Sequence, residues 1–207
     1  MPAGSIERTN ARKEEIINAC EKLYQTMSFK EITLKDISKE TTFSRTSIYN
    51  YFQTKEEIFL ALLKREYDCW ILQLREETES HDSMSNDEIA AVLARTLNDH
   101  KQLLKIMSMN HYDLEQNSRM ELLIEFKVSY GNALRTVGNI LEKFRTDMDA
   151  KKREAFVYSF FPFMFGIYPY TVVTKKQQEA MQKAGVNYIY SSVYDLTFVT
   201  ARRLLEC

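Results

Sequence analysis

Three helix-start signals lie close together between Thr33 and Thr54, and this spacing constrains the fold more than any other feature of the chain. Thr33, Ser44 and Thr54 are residue types whose side-chain oxygen accepts a hydrogen bond from the first turn of a helix. Asp36 and Glu57 follow two of them by three residues, in the capping-box position. Helices that begin so close together must be short and joined by tight turns. The stretch therefore predicts a helix-turn-helix followed at once by a third helix.

The middle helix of this unit, residues 44–52, has an unusual outer face. Its inner face consists of Ile48 and Phe52, which recur at helical spacing. The outer face carries no acidic residue and is formed by Arg45, Thr46, Ser47, Tyr49, Asn50 and Tyr51. Because a solvated helix usually carries Glu and Lys on such a face, these short hydrogen-bonding side chains predict insertion into a DNA groove.

The run Ser44-Arg-Thr-Ser-Ile-Tyr-Asn-Tyr-Phe-Gln-Thr-Lys-Glu-Glu-Ile58 resembles the recognition-helix signature of the tetracycline-repressor (TetR) family of bacterial transcriptional regulators. The resemblance covers residues 10–65 well and the rest by architecture alone. It implies a ligand-responsive repressor that binds a palindromic double-stranded DNA operator as a homodimer and is released by a small effector. The sequence departs from the family at Ser28, Ser38 and Thr42, where Gly, Ala and Gly are usual. A turn built without a left-handed glycine is therefore expected.

The resemblance and the residue chemistry together predict a set of DNA-binding residues. Arg45 is the best candidate for guanine, Asn50 for adenine or a phosphate, and Lys55 matches the family's backbone-contacting lysine. The alternative makes the two tyrosines packing residues and the cations solvated charges. The predicted set is Thr33, Lys35, Ser44, Arg45, Thr46, Ser47, Tyr49, Asn50, Tyr51 and Lys55.

Composition predicts an all-α chain. Five Gly and three Pro among 207 residues are too few for the turns that strands require. Helical periodicity predicts nine or ten helices, divided into a helix-turn-helix DNA-binding domain at 1–55 and a helical effector-binding and dimerisation domain at 56–207. The long helix from Thr54 to about Glu79 is a candidate lever between them.

The larger domain is predicted to bind a hydrophobic or aromatic effector. Nine Met, twelve Phe and twelve Tyr suit an adaptable apolar pocket, although ordinary core packing is the better explanation of any single residue. The candidate lining residues are Trp70, His100, Met107, His111, Tyr112, Phe126, Tyr130 and Phe163.

No catalytic residue, cofactor or metal is predicted. His111 and Glu115 have acceptable ligand spacing, but no second pair of Cys or His stands nearby. Nucleotide, hydrolase and metalloprotease motifs are missing from the sequence, so an enzyme is not expected. The competing class is a helical interaction or ligand-carrying protein with a decayed helix-turn-helix.

The sequence also predicts where the protein is located and how it assembles. The three cysteines are widely spaced, which is typical of reduced thiols. No signal peptide or run of about 18 apolar residues is visible, so a soluble cytoplasmic protein without membrane contact is expected. The apolar run 160–170 is predicted to form a dimer interface with the last helix, or else to form the bundle core. The last-helix residues in that interface are Val193, Leu196, Val199 and Leu204.

Overall fold

The computed structural model describes residues 3–206, and their side chains except at 3–6, 109 and 110. In this range the chain forms ten α-helices and no strand, which confirms the all-α prediction. The helices are α1 (Ala3–Tyr24), α2 (Leu34–Lys39), α3 (Arg45–Ile48), α4 (Lys55–Glu79), α5 (Asn86–Asp99), α6 (Lys101–Gln116), α7 (Met120–Phe144), α8 (Ala150–Thr171), α9 (Lys175–Lys183) and α10 (Val193–Glu206).

Several helices differ from the bounds that periodicity predicts. The recognition helix, predicted over residues 44–52, ends at Ile48 and is followed by a turn at residues 49–51. The first helix, predicted from about residue 10 to residue 27, spans Ala3–Tyr24. The sequence predicts an end near residue 110 for α6, but the helix continues to Gln116 and buries Leu114. The last helix is predicted from residue 187, but it begins at Val193. The reason is a cap, since the Ser192 side chain accepts a hydrogen bond from the Asp195 N–H at 3.0 Å.

The chain divides into two compact units. The first contains Met1–Arg65 and Asn110–Val128, and the second contains Glu66–Met109 and Ser129–Cys207. The predicted DNA-binding range 1–55 lies inside the first unit. Helices α4, α6 and α7 each contribute residues to both units.

The core of the first unit lies behind the helix-turn-helix. Ile37, Ile48 and Phe52 are at most 1% exposed, and so are Ile16 and Cys20 of α1. Helix α1, which contacts α2, therefore covers the back of the recognition unit. Fully burying each large apolar side chain contributes about 1.5–3 kcal/mol, so the short helices depend on α1 for their stability.

The core of the second unit is rich in aromatic rings from α8. Phe160 and Phe161 are buried, and the Phe161 ring lies 6.1 Å from that of Trp70. Helix α8 continues through Pro162, as the helix predicted over residues 151–168 requires, and also through Pro169. The apolar run is divided, with Phe160 and Phe161 in the core and Pro162, Pro169 and Tyr170 exposed.

Within the described residues, no single helix is both long and apolar enough to cross a membrane. One pair of helices bent by 80°, Ala150–Thr171 with Lys175–Lys183, meets that test by length and composition only.

Candidate nucleic-acid interface

The three predicted caps of the recognition unit are confirmed. Thr33 Oγ1 accepts a hydrogen bond from the Asp36 N–H at 3.3 Å, and Ser44 Oγ accepts one from the Ser47 N–H at 3.2 Å. Thr54 Oγ1 accepts one from the Glu57 N–H at 3.1 Å. These bonds satisfy helix donors that would otherwise be unpaired, and so fix where each helix begins.

The turn between α2 and α3 is built from side-chain hydrogen bonds in place of glycine. Glu15 Oε1 accepts from the Thr42 N–H at 2.6 Å and from the Thr42 hydroxyl at 2.8 Å. The Thr41 hydroxyl donates to the Ser38 carbonyl at 3.2 Å, and its oxygen accepts from the Phe43 N–H at 3.3 Å. No non-glycine residue described in the structure has a positive φ. The departure at Thr42 is therefore compensated by a carboxylate from α1.

The outward face of α3 and of the turn that follows it contains the central residues of the predicted site. Arg45, Thr46, Tyr49 and Asn50 are exposed, while Ile48 is buried on the opposite face. Arg45 Nη2 donates to the Tyr49 hydroxyl at 3.1 Å, and its guanidinium lies 5.8 Å from the Tyr49 ring centroid. This contact holds the guanidinium on the exposed face, where a planar fork of donors can meet a guanine edge or a phosphate.

Tyr51 lies at the end of the recognition unit and is held from two sides. Its hydroxyl accepts a hydrogen bond from Arg12 Nη1 at 3.0 Å, and its carbonyl accepts one from Arg119 Nη2 at 3.0 Å. The Arg12 guanidinium also lies 5.8 Å from the Phe43 ring centroid. Because Arg12 is the donor, the Tyr51 hydroxyl keeps its own hydrogen for a phosphate oxygen.

Lys55 has a structural partner in addition to its predicted role. Its ammonium donates to the carbonyls of Phe29 at 2.6 Å and Ile32 at 3.2 Å, and lies 4.3 Å from the Phe29 ring centroid. An ammonium has three donors, so one is still available for a phosphate. Lys55 therefore joins the start of α4 to the α1–α2 loop.

The other predicted residues lie at helix starts. Thr33 and Lys35 are exposed at the beginning of α2, and Ser44 is exposed before α3. The Ser47 hydroxyl lies 3.0 Å from that of Ser44 and is half-buried. Eight of the ten predicted residues therefore lie in the segment 44–55, and the other two, Thr33 and Lys35, lie at the start of α2. DNA contact by each of them stays a prediction.

An ion pair between the buried carboxylate of Glu57 and the exposed Arg119 supports the interface from behind. Glu57 is 1% exposed, and its carboxylate accepts from Arg119 Nε at 2.7 Å, the Arg119 N–H at 3.1 Å and the Gln53 N–H at 2.7 Å. Burial by itself would raise the pKa of Glu57, but these hydrogen bonds and the Arg119 charge lower that pKa overall. The carboxylate is therefore ionised at neutral pH and anchors the segment that follows Tyr51.

Sequence reasoning missed both arginines that contact Tyr51. Arg12 had a weak signal, because basic residues at 8, 12 and 13 precede the apolar stripe of α1. Arg119 had none, since it is 62 residues from its partner Glu57 and only the fold brings them together.

Five of the predicted effector-binding residues belong to the second unit. Trp70 and Met107 are buried, and Tyr130 is half-buried. Tyr67, which was not predicted, connects them: its hydroxyl donates to Met107 Sδ at 3.4 Å, and its ring lies 5.8 Å from Tyr130 and 6.5 Å from Trp70. Trp70 Nε1 donates to Thr96 Oγ1 at 3.0 Å. Together with Tyr67, these three predicted residues form one aromatic cluster, to which Met107 adds a thioether.

The remaining two of these five, His100 and Phe163, contact residues outside this cluster. His100 lies 3.7 Å from Glu66, and the Phe163 ring lies 6.1 Å from that of Phe160.

The other three predicted effector-binding residues belong to the first unit. The His111 ring lies 5.9 Å from that of Phe126, whereas Tyr112 is 74% exposed. His111 Nε2 lies 2.8 Å from a Glu115 oxygen that also accepts from Lys127 at 2.5 Å. Burial lowers the pKa of His111, Glu115 raises it and Lys127 lowers it, so the net shift is downward. The role of these residues in ligand binding stays a prediction.

Two family models together cover most of the chain. Residues 16–62 match the N-terminal domain described as bacterial regulatory proteins, tetR family, and residues 64–192 match the tetracyclin repressor-like C-terminal domain. An all-helical chain with a capped helix-turn-helix and a larger helical unit is the architecture that this class of regulator requires. The chain belongs to the TetR family of bacterial transcriptional regulators.

Individual relatives agree with this family. The HTH-type transcriptional regulator YfiR of Bacillus subtilis (strain 168), itself uncharacterized, is 30% identical over 83 residues. That match covers 40% of this chain and 40% of YfiR, so the chain spans less than half the length of that relative.

Solved structures show the same fold over nearly the whole chain. A TetR/AcrR-family regulator from Thermobifida fusca YX-ER1 is 16% identical with a TM-score of 0.61, covering 94% of this chain and 97% of that one. The TetR-family repressor FadR of Thermus thermophilus, solved in complex with lauroyl-CoA, is 16% identical with a TM-score of 0.57, covering 94% and 93%.

Proposed function

We propose that this TetR-family regulator is a ligand-responsive repressor that binds a palindromic operator as a homodimer. A small hydrophobic effector bound by the larger domain then releases it. The protein would act in the cytoplasm, and no enzymatic activity or cofactor is part of the proposal.

One observation carries the DNA-binding part of the proposal. The exposed face of α3 and of the turn that follows it presents Arg45, Thr46, Tyr49 and Asn50 without a single carboxylate. Because DNA is a polyanion, one carboxylate on this face would be repelled, whereas guanidinium, amide and hydroxyl donors match phosphates and base edges. The bonds from Glu15, Arg12 and Arg119 hold both ends of the helix, so little ordering entropy would be lost on binding.

The effector part of the proposal is supported by the aromatic cluster around Tyr67 and by relatives. A thioether and several rings can adapt to an apolar ligand at little cost. FadR of Thermus thermophilus, which has the same fold, was solved in complex with lauroyl-CoA. We infer that the effector of this chain is an acyl or aromatic molecule.

The proposed release mechanism uses two conformational states. Helix α4 begins beside the recognition helix and contributes residues to both units. An effector that binds one state more tightly would shift α4, change the distance between the two recognition helices of the dimer and lower operator affinity.

A titration of the DNA that flanks its own gene tests the DNA-binding part. We expect a fluorescence-anisotropy change at low salt that weakens steeply as salt increases, because phosphate contacts release counterions. A scrambled duplex of the same length is the control. No binding to either duplex at low salt would favour the competing class, a helical ligand-carrying protein with a decayed helix-turn-helix.

A further inference from the structure

A polar cavity of about 280 Å³ lies in the second unit between the last turns of α4 and the C-terminal half of α7. Helix α4 contributes residues at i, i+3 and i+4, and α7 contributes residues at i, i+3, i+4, i+7 and i+8, so each helix presents one face. The lining residues are Arg75, Thr78, Glu79, Thr136, Asn139, Ile140, Lys143 and Phe144.

Arg75 differs from several other arginines of this unit. Arg95, Arg145 and Arg153 each pair with a carboxylate. In the range that the structure describes, Arg75 has no ion pair, and its guanidinium contacts Thr136 Oγ1 at 3.4 Å. Four of the five guanidinium N–H groups are thus left for an acceptor with two oxygens, such as a carboxylate or a phosphate.

Lys143 supplies a second positive charge at the same cavity. Its ammonium donates to the carbonyls of Thr78 at 3.1 Å and Glu79 at 3.3 Å, and lies 4.7 Å from the Phe144 ring centroid. This is in part a structural role, since a cation stabilises the negative end of a helix. The same bonds also keep the ammonium fixed beside the cavity.

The remaining lining residues define the size and polarity of a ligand. The Thr136 hydroxyl and the Asn139 amide add hydrogen-bonding groups, and Ile140 and Phe144 add apolar surface. Glu79 is the one carboxylate of the lining, against two cations. A volume near the lower limit of ligand sites, about 300 Å³, suits a molecule no larger than a single ring.

We propose that this cavity binds a small organic or inorganic oxyanion, a carboxylate or a phosphate, with Arg75 as its main partner. Lys143 contributes charge, and Thr136 and Asn139 orient the anion. This proposal does not depend on DNA binding. An experiment that disproves the anion site would not affect the proposed DNA-binding function, and the reverse is also true.

Chemical-shift titration of the full-length ¹⁵N-labelled protein tests the site, with sodium phosphate and sodium benzoate as probes at constant ionic strength set by NaCl. We expect saturable shifts confined to residues 75–79 and 136–144. Saturation by phosphate alone or by benzoate alone supports the site and identifies the anion class. Linear, non-saturating shifts with both probes would overturn the proposal.

Variants make the assignment specific. Arg75→Gln leaves the helix-capping lysine in place, so the variant should fold, and we expect it to weaken binding at least tenfold. Thr136→Val, an isosteric change, should weaken it less. Arg203→Gln removes the same charge from an exposed position of α10 and should bind like the wild type. Equal affinities in Arg75→Gln and the wild type would exclude this site.

Discussion

At the scale of single residues, Arg45 and Lys55 should differ in what they contribute to operator binding. Arg45 is exposed on α3, so Arg45→Ala should weaken the operator complex by about 1–3 kcal/mol and relax preference at one base pair. Lys55→Ala should weaken all sequences alike and reduce the salt slope by about one. It should also lower the melting temperature, because the Phe29 and Ile32 carbonyls lose their donor. Salt titrations that match the wild type for both variants would contradict the docking assignment.

The contribution of Arg12 to DNA binding is a second prediction for a single residue, and it rests on the structure alone. If the Arg12 guanidinium is removed, the Tyr51 hydroxyl is free to rotate and the DNA-facing side loses a positive charge. We expect Arg12→Ala to weaken operator and scrambled duplex by similar factors of about 3–10, which corresponds to one lost hydrogen bond of about 1 kcal/mol. Arg8→Ala, which removes an exposed cation one turn earlier on α1, is the matched control. An equal loss in both variants would mean that net charge, not the Tyr51 contact, is responsible.

At the scale of elements, the sequence was most informative where structure is local. A cap needs only its own helix turn, so Thr33, Ser44 and Thr54 could be predicted from residue type and spacing. The aromatic cluster was predicted only in part, because Tyr67 contacts residues as distant as Tyr130. A turn without a left-handed glycine between α2 and α3 was expected, but the contact that stabilises it could not be predicted, since Glu15 comes from another helix.

The bonds between Glu57 and the segment at Arg119 give an element-scale prediction with a pH dependence. Since the folded pKa of Glu57 is lowered, its contribution to stability is present above the unfolded value of about 4.3 and is lost as pH falls through the folded pKa. Glu57→Gln should reduce the free energy of unfolding at pH 7 by about 1.5–3 kcal/mol, as expected for hydrogen bonds to a charged group. Urea denaturation at pH 7 and in acid measures this difference, which should shrink in acid.

A variant of Glu56, the half-buried residue that precedes Glu57, is the control for this prediction. Glu56→Gln removes the same charge from the first turn of α4 and should change stability by a few tenths of a kcal/mol. A Glu57→Gln effect that is equally small, or that does not depend on pH, would show that this ion pair is not an anchor.

At the scale of the whole molecule, the proposed mechanism requires two copies, because a palindromic operator presents two half-sites. Exposed apolar side chains near the C-terminus are suitable for this contact: Tyr158 and Tyr170 on α8 and Val199 on α10 are 65%, 59% and 45% exposed. Of the predicted last-helix residues, Val193 is buried, while Leu196 and Leu204 are half-buried. The predicted interface would therefore use the outer part of α10 and not Val193.

Sedimentation equilibrium at micromolar concentration tests the dimer directly. Val199→Glu places a charge in the proposed interface, so it should shift the protein toward monomer and weaken operator binding at least tenfold, because each half-site then binds alone. Leu72→Glu adds the same charge at a 58% exposed position of α4 and should leave both properties unchanged. A wild-type protein that sediments as a monomer, or a Val199→Glu variant that stays dimeric with full affinity, would move the interface away from α10.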